Sequence, residues 1–182
     1  MTRRLSWYAF GVAIALVVPG RASAQGIPFS QHGEVAQRVA FTDIAISYNR
    51  PTARGRVIWG DSGIVKWNGV WHPGADTATR ITFSRPVTFE GKPLPAGAYS
   101  FWTIPRASGR WTVILNRKAA VFHTPYPGEA SDALRVEVQA ERGPHVESMA
   151  WYFPAVARDS TVLRLHWGEV VVPLRIRVST EP

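Results

Sequence analysis

TVLRLHWGEVVVPLRIRV (Thr161–Val178) alternates apolar and polar side chains almost without a break. Leu163, Leu165 and Trp167 are separated by Arg164 and His166. Val172, Leu174, Ile176 and Val178 then alternate with Pro173, Arg175 and Arg177, which are expected to face outward. A period of two residues is the mark of a strand with one face buried and one face wet. Between the two runs, Gly168-Glu169 fits a two-residue hairpin loop with glycine first. Two strands are therefore expected here, and Pro173, which has no N–H to donate, places the second at a sheet edge.

The same alternation recurs upstream. Ile44, Ile46 and Tyr48, then Leu134, Val136 and Val138, then Met149, Trp151 and Phe153 each skip one residue, and no stretch after the first 24 residues has helical periodicity. From Tyr99 to Ile104 both faces are apolar or neutral, as in a strand held between layers. Leu94-Pro95-Ala96-Gly97 fits a type I turn with proline second and glycine fourth, and neighbouring strands are expected to be hairpin partners. About nine or ten strands imply an all-β fold, a two-layer antiparallel β-sandwich, with a closed β-barrel as the alternative. The expected organisation is a signal peptide at 1–24, a flexible lead-in at 25–34, one sandwich domain at 35–178 and a tail at 179–182.

The amino terminus supplies the expected address. Arg3 and Arg4 precede an apolar run from Leu5 to Val18, followed by Pro19-Gly20 and by Ala22 and Ala24 at small-residue positions. That order reads as a cleavable secretory signal cut after Ala24, so a periplasmic or secreted protein is expected. The run is shorter than the roughly 20 residues that span a bilayer, and no transmembrane segment is expected. The chain has no cysteine. Disulfides and a lipid anchor through an N-terminal cysteine are thereby excluded, and a remainder of this size can bury roughly 68–70% of its unfolded surface without staples. The formal charge is +8. Removing Arg3, Arg4 and Arg21 leaves 18 basic against 13 acidic residues, a balance that suits acidic glycans, phosphorylated ligands or anionic surfaces. Scattered basic residues and an exported address argue against nucleic acid.

The long irregular stretch from Asn49 to Thr77 is where a site is expected, because such loops in compact domains are often functional. Within it NRPTARGR (Asn49–Arg56) carries Arg50, Arg54 and Arg56, whose guanidinium forks suit a carboxylate or phosphate ligand. WGDSGI (Trp59–Ile64) contains a Gly-Asp-Ser-Gly run found around some serine nucleophiles. His32 alone precedes it in the mature chain, and Asp159 and His166 lack the spacing of a triad, so it is read as a turn. WHPGADTATRITF (Trp71–Phe83) holds His72 and Asp76, a pair able to share a metal or to act as a base with its orienting partner. Gly74 is expected to take a positive φ, Trp71 to anchor the loop, and His72→Ala to leave stability almost unchanged. His32, His72, His123, His145 and His166 show no metal-ligand spacing, and no metal or cofactor is expected. Trp111, Trp151 and Trp167 alternate with core residues and are read as core, whereas Trp59, Trp67 and Trp71 belong to the loop.

YNRPTARGRVIWG, VWHPGADTATRITFSRPVTFEGKPLPAGAYSFWTIP, WTVILN and DALRVEV together resemble the bacterial family known as domain of unknown function 2911, over about Tyr48 to Val138. The resemblance brings no catalytic residue with it and implies signal-bearing envelope proteins. It places Arg50, Pro51, Gly55, Arg56, Gly60, Trp71, Gly74, Ala75, Gly91, Lys92, Gly97, Tyr99 and Asn116 within the family's pattern. His72 stands where that pattern has arginine, and Asp76 where it has asparagine.

The expected function is a non-enzymatic, exported sandwich that binds a small molecule or glycan, or contacts an envelope protein, through the 49–77 loop. Arg50, Arg54, Arg56, Trp71, His72 and Asp76 are its candidate binding residues. The alternative is a hydrolase using His72 and Asp76 with a metal or water.

Overall fold

The computed structural model describes residues 27–182; the expected signal peptide lies outside the described residues. Ten strands follow one another: β1 (Gln31–Val39), β2 (Thr42–Arg50), β3 (Arg80–Phe83), β4 (Val87–Phe89), β5 (Lys92–Leu94), β6 (Gly97–Ile104), β7 (Trp111–Asn116), β8 (Asp132–Val138), β9 (Glu141–Val156) and β10 (Ser160–Val178). They form two sheets, one ordered β1-β2-β3-β6-β7-β8 and the other β5-β4-β10-β9, every pairing antiparallel. The fold is the expected two-layer sandwich and not a closed barrel. β1 begins inside the span expected as a lead-in, with Gln31 to Glu34 paired to Arg50 through Ser47.

The alternating residues meet between the sheets. Ile44, Ile46, Ile81, Phe83, Phe101, Val113 and Leu115 from the larger sheet share one buried cluster with Met149, Trp151, Leu163, Leu165, Leu174 and Ile176 from the smaller. Burying each such side chain is worth about 1.5–3 kcal/mol, and this core replaces the missing disulfides. β6 and β7 are buried on both faces, as their composition requires. Trp102 and Ile114 point away from the main core into a second cluster, covered by Val121 and Tyr126 from the segment after β7. Asn116 pins that segment: its amide Nδ2 donates to Gly128 O, Ser131 Oγ and Asp132 Oδ1, and its Oδ1 accepts from Lys118 N.

Three local expectations are corrected. Gly168-Glu169 makes no hairpin, because β10 runs through it as one 19-residue strand. Its partner β9 is long enough to pair on both sides, with Leu165 opposite Trp151 and Val171 opposite Glu141. Gly168 takes φ 58° at a shift in register, which is a bulge, and a glycine that a tight turn needs is also the glycine a bulge needs. Pro173 is buried, and it sits on an inner strand, in the gap where pairing passes from β9, ending at Val171, to β4, beginning at Ile176. A missing N–H is harmless there because no ladder partner stands opposite. The Leu94–Gly97 turn joins β5 in one sheet to β6 in the other, so these neighbours are not hairpin partners. The Tyr99 hydroxyl fastens that corner by donating to Pro95 O at 2.9 Å.

Candidate functional site

Between β2 and β3 the chain leaves the sheets for residues 51–79, tied down by short bridges rather than by ladders. Thr52 pairs with Ser148, Trp59 with Val65, Trp71 with Thr103 and Thr77 with Phe122. The three arginines expected to converge on an anion serve this loop. Arg50 Nε donates to Met149 O at 2.7 Å, and Arg56 donates to Ala53 O and Thr52 O. Arg54 lies over the Phe29 ring at 4.3 Å, while its backbone N–H reaches Glu147 Oε1. Their guanidinium groups meet backbone carbonyls and a ring, and they line no common pocket.

Gly-Asp-Ser-Gly is a turn. Gly63 N donates to Gly60 O, and Ile64 and Val65 pair back onto Val57 and Ile58. Gly60 has φ 110°, and a Cβ on Gly63 would lie 2.7 Å from Ile58 O. Both glycines are therefore backbone requirements. Ser62 is exposed and hydrogen-bonds to no histidine among the described residues.

The loop's tryptophans join two from the strands. Trp59 is central: it stacks on Trp67 (6.1 Å, 10°) and meets Trp71, Trp111 and Trp167 edge-on at 5.5, 5.2 and 6.1 Å. Trp71 in turn stacks on Trp167 at 6.3 Å. Trp111 and Trp167 are buried, and Trp59, Trp67 and Trp71 are half-buried. Buried indole N–H groups are expected to find acceptors. Trp59 donates to Trp167 O, Trp111 to Arg106 O, Trp167 to Glu147 O, Trp102 to Ser100 Oγ and Trp151 to Pro73 O. Trp67 and Trp71 are left without an acceptor among the described residues. They open on different sides of the cluster.

On the Trp71 side lies a cleft of about 520 Å³ whose lining includes Ile64, Val70, Trp71, His72, Gly74, Asp76, His123 and Thr124. Three of the six candidate residues meet here. His72 is only 5% exposed, edge-on to Trp102 at 5.8 Å and stacked on His123 at 5.5 Å. Its buried Nδ1 has no hydrogen-bond partner. Burial, reinforced by the neighbouring His123, lowers its pKa to about 4 and keeps it neutral. His123 donates Nδ1–H to Asp76 O at 2.8 Å, and its backbone N–H reaches the same oxygen at 2.9 Å. The Asp76 carboxylate turns the other way, accepting from Asn49 Nδ2 at 3.4 Å. His72 and Asp76 thus make no base-and-orienter pair. No group of three or more His, Asp or Glu able to hold a metal ion occurs among the described residues.

The expected positive φ at Gly74 is also corrected: the left-handed residue of this turn is Asp76, at φ 59°. Asparagine and aspartate are the side chains that tolerate that region best, so either residue suits this position. Gly74 is needed for space instead. A Cβ there would lie 2.5 Å from Thr79 Oγ1 and 3.3 Å from the His72 ring, and Thr79 Oγ1 is held in place by donating to Pro73 O at 2.7 Å.

On the Trp67 side lies a groove of about 410 Å³ with Trp59, Trp67 and Trp111 as its aromatic wall. Residues 106–109 form one rim, and Gln139, Glu141, Arg142 and Glu169 the other. Its charges are matched: Arg142 pairs with Glu169 at 2.5 Å, Arg106 with Glu137 at 3.5 Å and Arg164 with Glu141 at 3.8 Å. Of these residues, Trp59 and Trp67 belong to the loop expected to carry a site. The rim residues could not be singled out from sequence, because β8, β9 and β10 bring them together across the fold.

The model of the family described as Protein of unknown function (DUF2911) matches residues 30–176, and the chain belongs to that family. Neither a curated protein nor a solved structure matches the chain.

Proposed function

We infer that this protein is an exported binding module whose ligand is a neutral glycan held in the Trp67 groove. The observation that carries the reading is the half-buried Trp67, stacked on Trp59, with its indole N–H unpaired beside a rim of matched charges. An indole face covers the C–H face of a sugar ring, and planar polar side chains exchange hydrogen bonds with its hydroxyls. Matched charges leave no net field to select an ion. Export rests on Arg3, Arg4, the apolar run and Ala22-x-Ala24. No helix among the described residues is long and apolar enough to cross a membrane.

Isothermal titration with cello-, malto- and chitin-oligosaccharides tests the reading. Saturable binding to at least one series is expected, weakened about tenfold or more by Trp67→Ala, which corresponds to about 1.4 kcal/mol. His72→Phe should leave the affinity unchanged. Absence of saturation with every series, or equal affinity in Trp67→Ala, would refute it.

A further inference from the structure

The outer face of the larger sheet carries a hydrogen-bonded chain that the glycan reading does not use. β1 and β2 pair with His32 opposite Asn49 and Glu34 opposite Ser47, and Ser47 faces Arg80 on β3. His32 Nε2 lies 3.5 Å from Ser47 Oγ, His32 Nδ1 lies 3.2 Å from Asn49 Oδ1, and Asn49 Nδ2 lies 3.4 Å from Asp76 Oδ2. The roles follow in order along the chain. A carboxylate only accepts, so Asp76 holds the Asn49 amide with Nδ2 toward it and Oδ1 toward His32. That oxygen accepts a hydrogen bond from Nδ1–H of the neutral imidazole, leaving the lone pair on Nε2, which faces the Ser47 hydroxyl.

Ser47 lines a cleft of about 430 Å³ with Thr77, Arg80, Ala120, Val121 and Phe122 among its walls. The Arg80 guanidinium has no hydrogen-bond or ion-pair partner among the described residues. The cleft shares no lining residue with the Trp67 groove.

We propose that Ser47, His32 and Asn49 form a serine-nucleophile centre, oriented by Asp76, that hydrolyses carboxylic esters of short acyl chains seated on Val121 and Phe122. A nucleophile, a base in reach of it and a group fixing that base define such a centre by geometry rather than by order in the sequence. Ser47 Oγ bonds to the acyl carbon while its proton passes to His32 Nε2. Glu34 Oε1, 3.7 Å from that nitrogen, supports the imidazolium formed, and Arg80 faces the oxyanion. The C–O bond to the alcohol then breaks, and His32 returns the proton to the leaving oxygen. Water, deprotonated by His32, repeats the attack on the acyl-serine and releases the acid, regenerating Ser47. Asn49 and Asp76 are positioning residues.

The test uses purified mature protein, an alkyl fluorophosphonate and p-nitrophenyl butyrate. The expected result is one phosphonyl adduct per chain, mapped to Ser47, together with ester turnover. Ser47→Ala should abolish both, and His32→Gln should slow both at least about a hundredfold, the usual contribution of a general base. Both positions lie on the outer face, so the melting temperatures of these variants should match that of the parent. Asn49→Leu should slow labelling, while exchanging the pair, Asn49→Asp with Asp76→Asn, keeps an acceptor for Nδ1–H with an amide donor beside it and restores labelling; loss in both would overturn the orienting role. No adduct, an adduct elsewhere, or labelling indifferent to His32→Gln would overturn the centre. None of these outcomes bears on oligosaccharide binding at Trp67.

Discussion

Trp67 and Trp71 both leave the same tryptophan cluster with an unpaired indole N–H, yet they open on regions built in opposite ways. Around Trp71 the polar groups are turned inward or tied to backbone: His72 is buried and neutral, His123 is held by Asp76 O, and Asp76 itself occupies a left-handed turn position. Around Trp67 the rim side chains face the groove, and their charges are paired beside it. A turn rich in histidine, aspartate and glycine can be occupied with holding itself together and with fixing its neighbour Asn49. A groove made of tryptophan and ordinary surface residues can be the part left open for a ligand.

The sharpest way to break this comparison is to remove what the two sides share. Trp59→Ala should cost about 3–5 kcal/mol, as truncating a large packed aromatic does, and lower the melting temperature by roughly 10 °C for a domain of this size. A calorimetric loss under about 1 kcal/mol would mean that the cluster does not organise the loop.

Acid should separate the two sides next. The folded pKa of His72, about 4, lies below its unfolded value of 6.5, so between these values the unfolded chain binds more protons and stability falls as pH is lowered. A shift of that size corresponds to about 3 kcal/mol, fully present above pH 6.5 and gone below pH 4. Urea melts across this window should show the slope in the parent and lose most of it in His72→Phe. A flat parent profile would contradict the burial of His72. This replaces the expectation that His72→Ala leaves stability unchanged, which treated the ring as solvated.

That error shows where a sequence is legible and where it is not. Alternation is a property of each strand alone, so Ile44-Ile46-Tyr48 or Leu163-Leu165-Trp167 reveals a buried face without knowledge of its partner. Whether Gly168 turns the chain back or bulges it depends on the length of β9, and β9 is written upstream, at Glu141–Val156, in a segment broken by Gly143 and Pro144. The burial of His72 depends on His123 and Trp102, which only the fold brings near. The cross-strand match of His32 with Asn49 depends on the register set by the two-residue Ala40-Phe41 turn, and that of Ser47 with Arg80 on strands joined only through the 51–79 stretch. Trp59 and Trp67 were legible as loop aromatics, but their groove needed Gln139 to Arg142 and Glu169 from distant strands.

Smaller effects sharpen the contrast. Gly74→Ala pushes a methyl group into Thr79 Oγ1 and should cost about 1–3 kcal/mol by overpacking, measurable by chemical denaturation. A double variant with Thr79→Ala should recover part of that loss, whereas an origin in backbone conformation would leave it in place. Arg54→Ala removes an exposed contact with Phe29 and should change stability by no more than about 0.5 kcal/mol. A larger loss would mean that the amino-terminal residues before β1 are part of the folded core.

The separation of the two sides is tested most directly by the indole N–H resonances of Trp67 and Trp71, assigned by single tryptophan-to-phenylalanine variants and followed during titration with the tightest-binding oligosaccharide. The groove reading predicts that the Trp67 signal moves with saturation while the Trp71 signal and the His72 ring protons stay in place. Movement of Trp71 and His72 with Trp67 unchanged would put the ligand in the cleft and contradict it.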